Sequence, residues 1–205
     1  MRRRSMTILY EVHDNLYVNL TNQCPCACTF CLRQTRDEME DSGPLWLDHT
    51  PSLDEVLAAF DHFDLEKYGE VVFCGFGEPT EALDNLLATA RFVKEHWDKP
   101  IRINTNGLGD LIHGRPIAPL FAGLIDTVSV SLNTPNAERY YKLVRPRFGE
   151  ASYDAMLRFT ADCVKYVPHV VMTTVATTLT AEEEDECREI CRRIGAAYRI
   201  RPWED

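Results

Sequence analysis

The stretch Leu16-Tyr-Val-Asn-Leu-Thr-Asn22 is followed almost at once by the run Cys24-Pro-Cys-Ala-Cys-Thr-Phe-Cys31. The first stretch alternates apolar and polar side chains, and this period of two residues is typical of a half-buried strand. The sequence therefore predicts a strand that ends at a cysteine-rich loop.

Outward from this strand, the rest of the chain alternates between strand and helix patterns. Ser52 with Glu55 forms a predicted capping box, and Thr180 is a predicted helix cap with Gly195 as the stop. Further strands are predicted at residues 70–74, 101–105, 127–133, 169–178 and 197–201, and helices at about 52–67, 80–97, 117–123, 136–143, 152–166 and 181–194.

Strands that alternate with helices indicate βαβ units and a parallel sheet, either doubly wound or part of a barrel. A closed eight-unit barrel typically needs about 250 residues, and this chain has 205. We therefore predict an α/β fold, an open partial (β/α)6 barrel with parallel strands. A single domain is expected over residues 1–205, with a flexible start at 1–6.

Charge and hydropathy narrow the classes of function. The formal net charge of −10 works against general nucleic-acid binding, although it leaves room for a local basic pocket. No apolar run is long enough to span a membrane. The three arginines near the start are followed by no signal-peptide core, because Glu11 and His13 interrupt it. We expect a cytoplasmic protein.

Four of the eight cysteines lie between residues 24 and 31, too close together to crosslink a fold. In a reducing compartment such a cluster indicates metal binding or catalysis. Cys24, Cys28 and Cys31 suit an iron–sulfur cluster, which would keep one iron open for a ligand. Structural zinc, with Cys26 as a further ligand, is the alternative that the spacing leaves open.

Several predicted strands carry a polar face, which suggests an interior lined for a ligand instead of a packed core. The last strand contributes Arg199 and Arg201. If they point inward, these arginines would bind an anionic substrate; surface charge is the alternative. The other polar positions are Tyr17, Asn19, Thr21, Arg102, Asn104, Asn106, Ser129, Ser131 and Asn133.

The spacing Cys24-x3-Cys28-x2-Cys31, with Phe30 before the last cysteine, resembles the signature of the radical S-adenosylmethionine (SAM) superfamily. The resemblance implies that these three cysteines bind a 4Fe–4S cluster and that SAM chelates its fourth iron. Cys26 would then be a bystander.

Further motifs follow in the order that the family shows. Gly75-Phe-Gly-Glu-Pro79 is similar to the family's Gly-Gly-Glu-Pro turn, with Gly75, Gly77, Glu78 and Pro79 near the methionine group. The resemblance also places Thr105 and Asn106 near the cofactor, Ser131 and Asn133 at the ribose, and Val175 at the adenine. The glycine pattern that the family often has at the adenine is absent here.

The resemblance implies a radical enzyme. One electron from an external reductant of flavodoxin or ferredoxin type would let the cluster cleave SAM to a 5′-deoxyadenosyl radical. That radical would take a hydrogen atom from a substrate that the sequence does not identify.

Three other interpretations remain open. Within the superfamily, the cysteine loop and Ser131-Leu-Asn-Thr-Pro135 resemble short proteins associated with TatD-type nucleases, which implies such a partner. An activase would install a radical on a partner protein. A zinc-binding interaction module would have no catalytic activity.

Overall fold

The computed structural model describes residues 6–203. Of the predicted flexible start, only Met6 belongs to this part, and the rest lies outside the described residues. The strands are β1 (Leu9–Val12), β2 (Asn15–Val18), β3 (Val71–Phe73), β4 (Ile101–Thr105), β5 (Thr127–Ser131), β6 (His169–Val175) and β7 (Ala197–Arg201).

The α-helices alternate with these strands from β2 onward. They are α1 (Leu53–Ala59), α2 (Leu83–Trp97), α3 (Gly109–His113), α4 (Ala137–Val144), α5 (Ala151–Tyr166) and α6 (Ala181–Ile194). Short 3-10 helices lie at Leu32–Gln34, Phe60–His62, Leu65–Lys67, Pro79–Ala82 and Ala118–Phe121.

The chain divides into two compact units. The first holds the residues up to Cys24 together with Leu32–Ile103, and the second holds Pro25–Cys31 and the residues from Asn104 onward. β4 thus begins in the first unit and ends in the second. The prediction of a single domain stays a prediction.

The first unit is built on β1, β2 and β3. β1 pairs antiparallel with β2, whereas β2 pairs in parallel with β3, and β3 in parallel with β4. One side of α2 is buried at helical spacing, which packs this helix into the core of the unit. Its buried residues are Leu83, Leu86, Leu87, Thr89, Ala90 and Val93.

β1 is a strand that the pattern of the sequence does not predict. Leu9 pairs with Val18 and Val12 with Asn15, which leaves a two-residue hairpin turn at His13 and Asp14. His13 has a φ of 51°, and turns of this length require a positive φ. The apolar run of this strand is short and interrupted by polar residues, so its alternation does not stand out.

The second unit carries three parallel strands, with β5 next to β6 and β6 next to β7. The predicted α6 is confirmed with its caps: Thr180 and Glu183 form a capping box, and Gly195 ends the helix at a φ of 88°. These local signals act within one turn of helix, so the sequence alone predicts the boundaries of α6.

The alternation of helices with parallel strands confirms the α/β class. None of the helices in residues 6–203 combines the length and hydropathy that a membrane-spanning helix requires.

Candidate functional site

Residues 25–31 of the cysteine loop are fixed to the end of α4 within the second unit. The backbone N–H of Ala27 donates to the carbonyl of Val144 at 3.1 Å, and that of Thr29 donates to Leu143 at 2.9 Å. α4 ends at Arg145, which has a left-handed conformation. The last carbonyls of a helix lack intrahelical partners, so two of them are satisfied here by the loop.

A second anchor lies just beyond this helix end. The N–H of Arg147 donates to the carbonyl of Pro25 at 2.8 Å, and Cys26 forms an isolated antiparallel bridge with Pro146. The loop therefore has a defined backbone path over residues 25–29, which loops of this length lack when nothing pairs with their backbone.

The four cysteines of this segment differ in exposure. Cys24, Cys28 and Cys31 are partly exposed, whereas Cys26 is 4% exposed. The side-chain amide of Asn106 lies 3.6 Å from the sulfur of Cys26. The three cysteines at the predicted ligand spacing thus remain accessible, while the fourth faces the protein interior. Phe30, before Cys31, is half-buried.

All eight cysteines are present as thiols. Burial raises the pKa of Cys187 to about 12 and that of Cys191 to about 11, and it raises the pKa of Cys163 further. The side chains of these three cysteines are at most 1% exposed, so they pack in the interior of the second unit. In the part of the chain that the structure describes, no three His, Cys, Asp or Glu side chains are grouped for a metal ion.

The turn at residues 75–79 has glycines where other residues of the chain leave no room for a side chain. A Cβ atom on Gly77 would lie 2.1 Å from the carbonyl oxygen of Thr21, and one on Gly75 would lie 2.1 Å from Oδ1 of Asn19. The turn follows β3 and is pressed against the segment that follows β2. The glycines are therefore required for this close packing within the first unit.

Glu78 is 4% exposed and caps the next turn of chain. Its Oε1 accepts hydrogen bonds from the backbone N–H of Thr80 at 3.2 Å and from the Thr80 hydroxyl at 2.8 Å. Pro79 is buried at the first position of this 3-10 helix, where its fixed φ suits a helix start. The carboxylate of Glu78 is thus held in a fixed orientation.

The turn after β4 is closed by its own side chains. The Thr105 hydroxyl accepts from the N–H of Gly107 at 3.0 Å, and Oδ1 of Asn106 accepts from the N–H of Leu108 at 2.9 Å. Through its amide, Asn106 also contacts Cys26. Within the second unit, the predicted cofactor residue Asn106 therefore links the turn after β4 to Cys26 of the cysteine loop.

The end of β5 carries an unusual asparagine. Asn133 is 7% exposed and has a φ of 65°, and its backbone N–H donates to Thr173 at 3.1 Å. Its amide nitrogen lies 3.4 Å from the carbonyl of Ser131, while its Oδ1 is buried and has no hydrogen-bond partner among residues 6–203. A buried acceptor without a donor costs free energy, and a ligand hydroxyl would supply that donor.

Val175 ends β6 and is partly exposed, next to a second unusual backbone position. Thr177 has a φ of 68°, which is rare for a β-branched residue. The ends of parallel strands are where α/β folds place their ligands. The sequence does not indicate Thr177, because a left-handed threonine leaves no composition signal.

Not every predicted polar position is open to a ligand. The Asn19 amide nitrogen donates to the carbonyls of Leu45 at 2.8 Å and Thr7 at 3.2 Å. Asn19 thus secures its own unit, and the Thr21 hydroxyl accepts from the N–H of Gln23 at 3.0 Å. An alternating pattern does not reveal the contacts of Asn19, because Thr7 and Leu45 lie 12 and 26 residues away in the sequence.

Comparison with known proteins agrees with these observations. Residues 18–194 match the family model of the radical SAM superfamily. The GTP 3′,8-cyclase of Corynebacterium glutamicum (strain R) is 35% identical over 143 residues, which are 66% of this chain and 35% of that protein. The probable dual-specificity RNA methyltransferase RlmN of Streptococcus mutans is 28% identical over 152 residues, a match that covers 68% of this chain and 39% of that protein.

Among solved structures, Streptococcus suis SuiB bound to S-adenosylmethionine is similar, with a TM-score of 0.61 and 19% identity. The match covers 92% of this chain and 38% of SuiB. It shows a shared fold and agrees with the predicted open partial barrel. The chain spans little more than a third of the curated relatives that it matches. Because the family model covers most of its length, the chain belongs to the radical SAM superfamily, whose members use a 4Fe–4S cluster and S-adenosylmethionine.

Proposed function

We propose that this chain is the core of a radical SAM enzyme in which Cys24, Cys28 and Cys31 hold the cluster. The observation that carries the proposal is the difference in exposure within the cysteine loop. The three cysteines at the family spacing are accessible, while Cys26 is buried against Asn106. Three thiolates on a cubane leave one iron for SAM, whereas a closed structural zinc site would use four ligands.

When bound, the cluster and SAM supply a 5′-deoxyadenosyl radical that takes a hydrogen atom from the substrate. The chain's own part is to bind and orient these groups. Asn133 would accept a hydrogen bond from a ribose hydroxyl, since its Oδ1 is buried and no described residue donates a hydrogen bond to it. Ser131 lies two residues before it at the end of β5, and Val175 ends the next strand and would contact the adenine.

The methionine group is assigned to the turn at residues 75–79. The orientation of this turn is fixed by two contacts of Glu78. Its backbone N–H donates to the Gln23 carbonyl at 2.8 Å, and its carboxylate accepts from the Thr80 hydroxyl. With its carboxylate engaged by Thr80, Glu78 would act on the SAM ammonium through a second lone pair or through the carbonyls of the turn. Thr105 and Asn106 would shape the site from the turn after β4.

An external one-electron reductant completes the proposal, as radical SAM enzymes generally need one. We assign a donor of flavodoxin or ferredoxin type to the face beside the cysteine loop. Arg145 and Arg147 are exposed there, on either side of Pro146. In a chain of net charge −10, a local pair of arginines would attract a donor with an acidic face.

The cellular setting belongs to the same proposal. A cluster of reduced cysteines and a soluble electron donor both fit the cytoplasm. Association with a TatD-type nuclease is proposed from the sequence of the cysteine loop and of residues 131–135. The activities named for the curated relatives, a GTP cyclase and an RNA methyltransferase, make a phosphate-bearing substrate the first class to test.

The assignment of ligands is tested by anaerobic reconstitution with iron and sulfide. We expect about four irons per chain and a brown protein. Cys28→Ala should lose most of the iron, whereas the matched variant Cys26→Ala should keep it, because Cys26 faces Asn106 and Pro146. Bound zinc in a colourless wild type, or equal loss of iron in both variants, would contradict the three-cysteine assignment.

A further inference from the structure

The two arginines of β7 lie on the face of the strand that is turned away from α6. Tyr198, the residue before Arg199, shows which face of the strand is turned toward α6. Tyr198 lies below the guanidinium of Arg188 from α6, at 5.4 Å, and its hydroxyl is 2.7 Å from that of Thr174. Successive side chains of a strand point to opposite faces. Arg199 and Arg201 therefore project from the other face.

The neighbouring strands continue this face with polar residues. Arg199 is in register with Thr173 of β6, and Thr173 is in register with Ser131 of β5. Adjacent strands lie roughly 4.8 Å apart, so these side chains form a row across three strands. We call the group of Ser131, Thr173, Arg199 and Arg201 the arginine face.

Neither arginine of this face has a carboxylate partner among residues 6–203. Other arginines of the chain do: Arg102 binds Glu70 at 2.7 Å, and Arg192 binds Glu189 at 2.7 Å. The chain as a whole is acidic, with 32 acidic residues against 22 basic ones. The arginine face is thus a local positive region in an acidic protein.

Arg201 also has an unsatisfied donor. It is partly buried, and its Nε is shielded from solvent and has no hydrogen-bond partner within the described part of the chain. A buried donor of a charged group is costly when nothing accepts its hydrogen bond. A guanidinium presents its N–H groups as a planar fork that matches two oxygens of one oxyanion.

We propose that the arginine face binds an oxyanion group of the substrate, with Arg201 as the principal contact and Arg199 as the second. Ser131 borders the same row, so the group would sit beside the ribose region assigned above. This inference rests on the proposed function only in that the bound oxyanion is taken to belong to the substrate. The binding itself requires only the fold of the second unit. A phosphate and a carboxylate share the required chemistry.

The experiment titrates the full chain with inorganic pyrophosphate and, separately, with malonate. It uses protein as purified and after cluster reconstitution, with calorimetry as one readout and the NMR signals of the arginine Nε–H groups as the other. We expect saturable binding that shifts the Arg201 Nε–H signal. Arg201→Gln should weaken this binding at least tenfold, and Arg199→Gln should weaken it less, since Arg199 is exposed.

The control is Arg192→Gln, which removes an exposed arginine of α6 that is paired with Glu189. It should bind both probes as the wild type does. Preference for pyrophosphate identifies a phosphate-bearing substrate, and preference for malonate identifies a carboxylate-bearing one. An Arg201 Nε–H signal that neither probe shifts overturns the proposal, and this readout needs no variant to fold.

The same design separates this inference from the proposed function. Binding that survives in protein without a cluster supports the arginine face whatever the chemistry of the cysteines. Iron incorporation without binding of either probe keeps the radical SAM assignment and removes the arginine face from it.

Discussion

At the scale of single residues, close contacts decide which positions tolerate change. Gly77 lies against the backbone carbonyls of Thr21 and Gln23, where an added Cβ would approach to 2.1 and 2.7 Å. Both neighbours are backbone atoms, which cannot rotate away as a side chain can. The turn that carries Glu78 can therefore pack this closely only because Gly77 has no side chain.

Gly77→Ala should lower the free energy of unfolding by about 1–3 kcal/mol, the usual cost of overpacking a well-packed site. Gly69→Ala is the matched control, because its new Cβ would meet Oδ1 of Asn15 at an ordinary 3.5 Å. Urea denaturation of both variants measures the difference. Equal midpoints for the two variants would show that the Thr21 backbone yields easily.

Residues also show how much of the site the sequence can predict. The spacing of Cys24, Cys28 and Cys31 is local, so the sequence alone is sufficient to recognise it. The burial of Cys26 against Asn106 depends on two segments 80 residues apart, and no short motif contains that information. The Gly-Glu-Pro motif assigns Glu78 to a ligand, but it does not indicate that the carboxylate also caps Thr80.

At the scale of elements, α6 is the helix that local signals describe best. Its predicted bounds, 181–194, match the observed helix, and both caps are present. The predicted helix over residues 52–67 is different: α1 ends at Ala59, and Phe63 has an extended backbone. Asp64 then caps a separate 3-10 helix by accepting from the N–H of Glu66, a local side-chain contact that competes with a continuous helix.

The buried face of α6 leads to a prediction about pH. Burial raises the pKa of Cys187 to about 12 and that of Cys191 to about 11. An unfolded thiol ionises near ~8.5. Above that pH the unfolded state loses protons that the folded state keeps. The free energy of unfolding therefore decreases as the pH rises toward about 11.

Urea midpoints at about pH 7.5 and about pH 10 test this linkage. The wild type should lose stability between the two, and the double variant Cys187→Ala with Cys191→Ala should lose less. The comparison isolates these two thiols, because the wild type and the double variant share every other residue. The same loss in both proteins would mean that these thiols contribute nothing to the pH dependence.

At the scale of the whole molecule, the alternation of strands and helices is sufficient for the fold class, because βαβ units favour a parallel sheet. The elements that the pattern does not predict are short ones whose stability comes from their neighbours. β1 has four residues and pairs with β2, and α3 has five residues. Elements this short carry too few residues for a periodicity to stand out.

The family match fixes the class of cofactors for the chain, while its residues suggest how they are used. The turn at residues 75–79 belongs to the first unit, and Asn106, Asn133 and the arginine face belong to the second. The central claim is that the chain binds a cluster through three cysteines and uses it on SAM.

The most direct test of this claim is the formation of 5′-deoxyadenosine. The protein is purified without oxygen, reconstituted with iron and sulfide, reduced with dithionite and given SAM. The account predicts 5′-deoxyadenosine from the wild type and from Cys26→Ala. It predicts none above background from the triple variant in which Cys24, Cys28 and Cys31 are replaced by Ala. A reconstituted wild type that forms no 5′-deoxyadenosine, or a triple variant that forms as much, would contradict it.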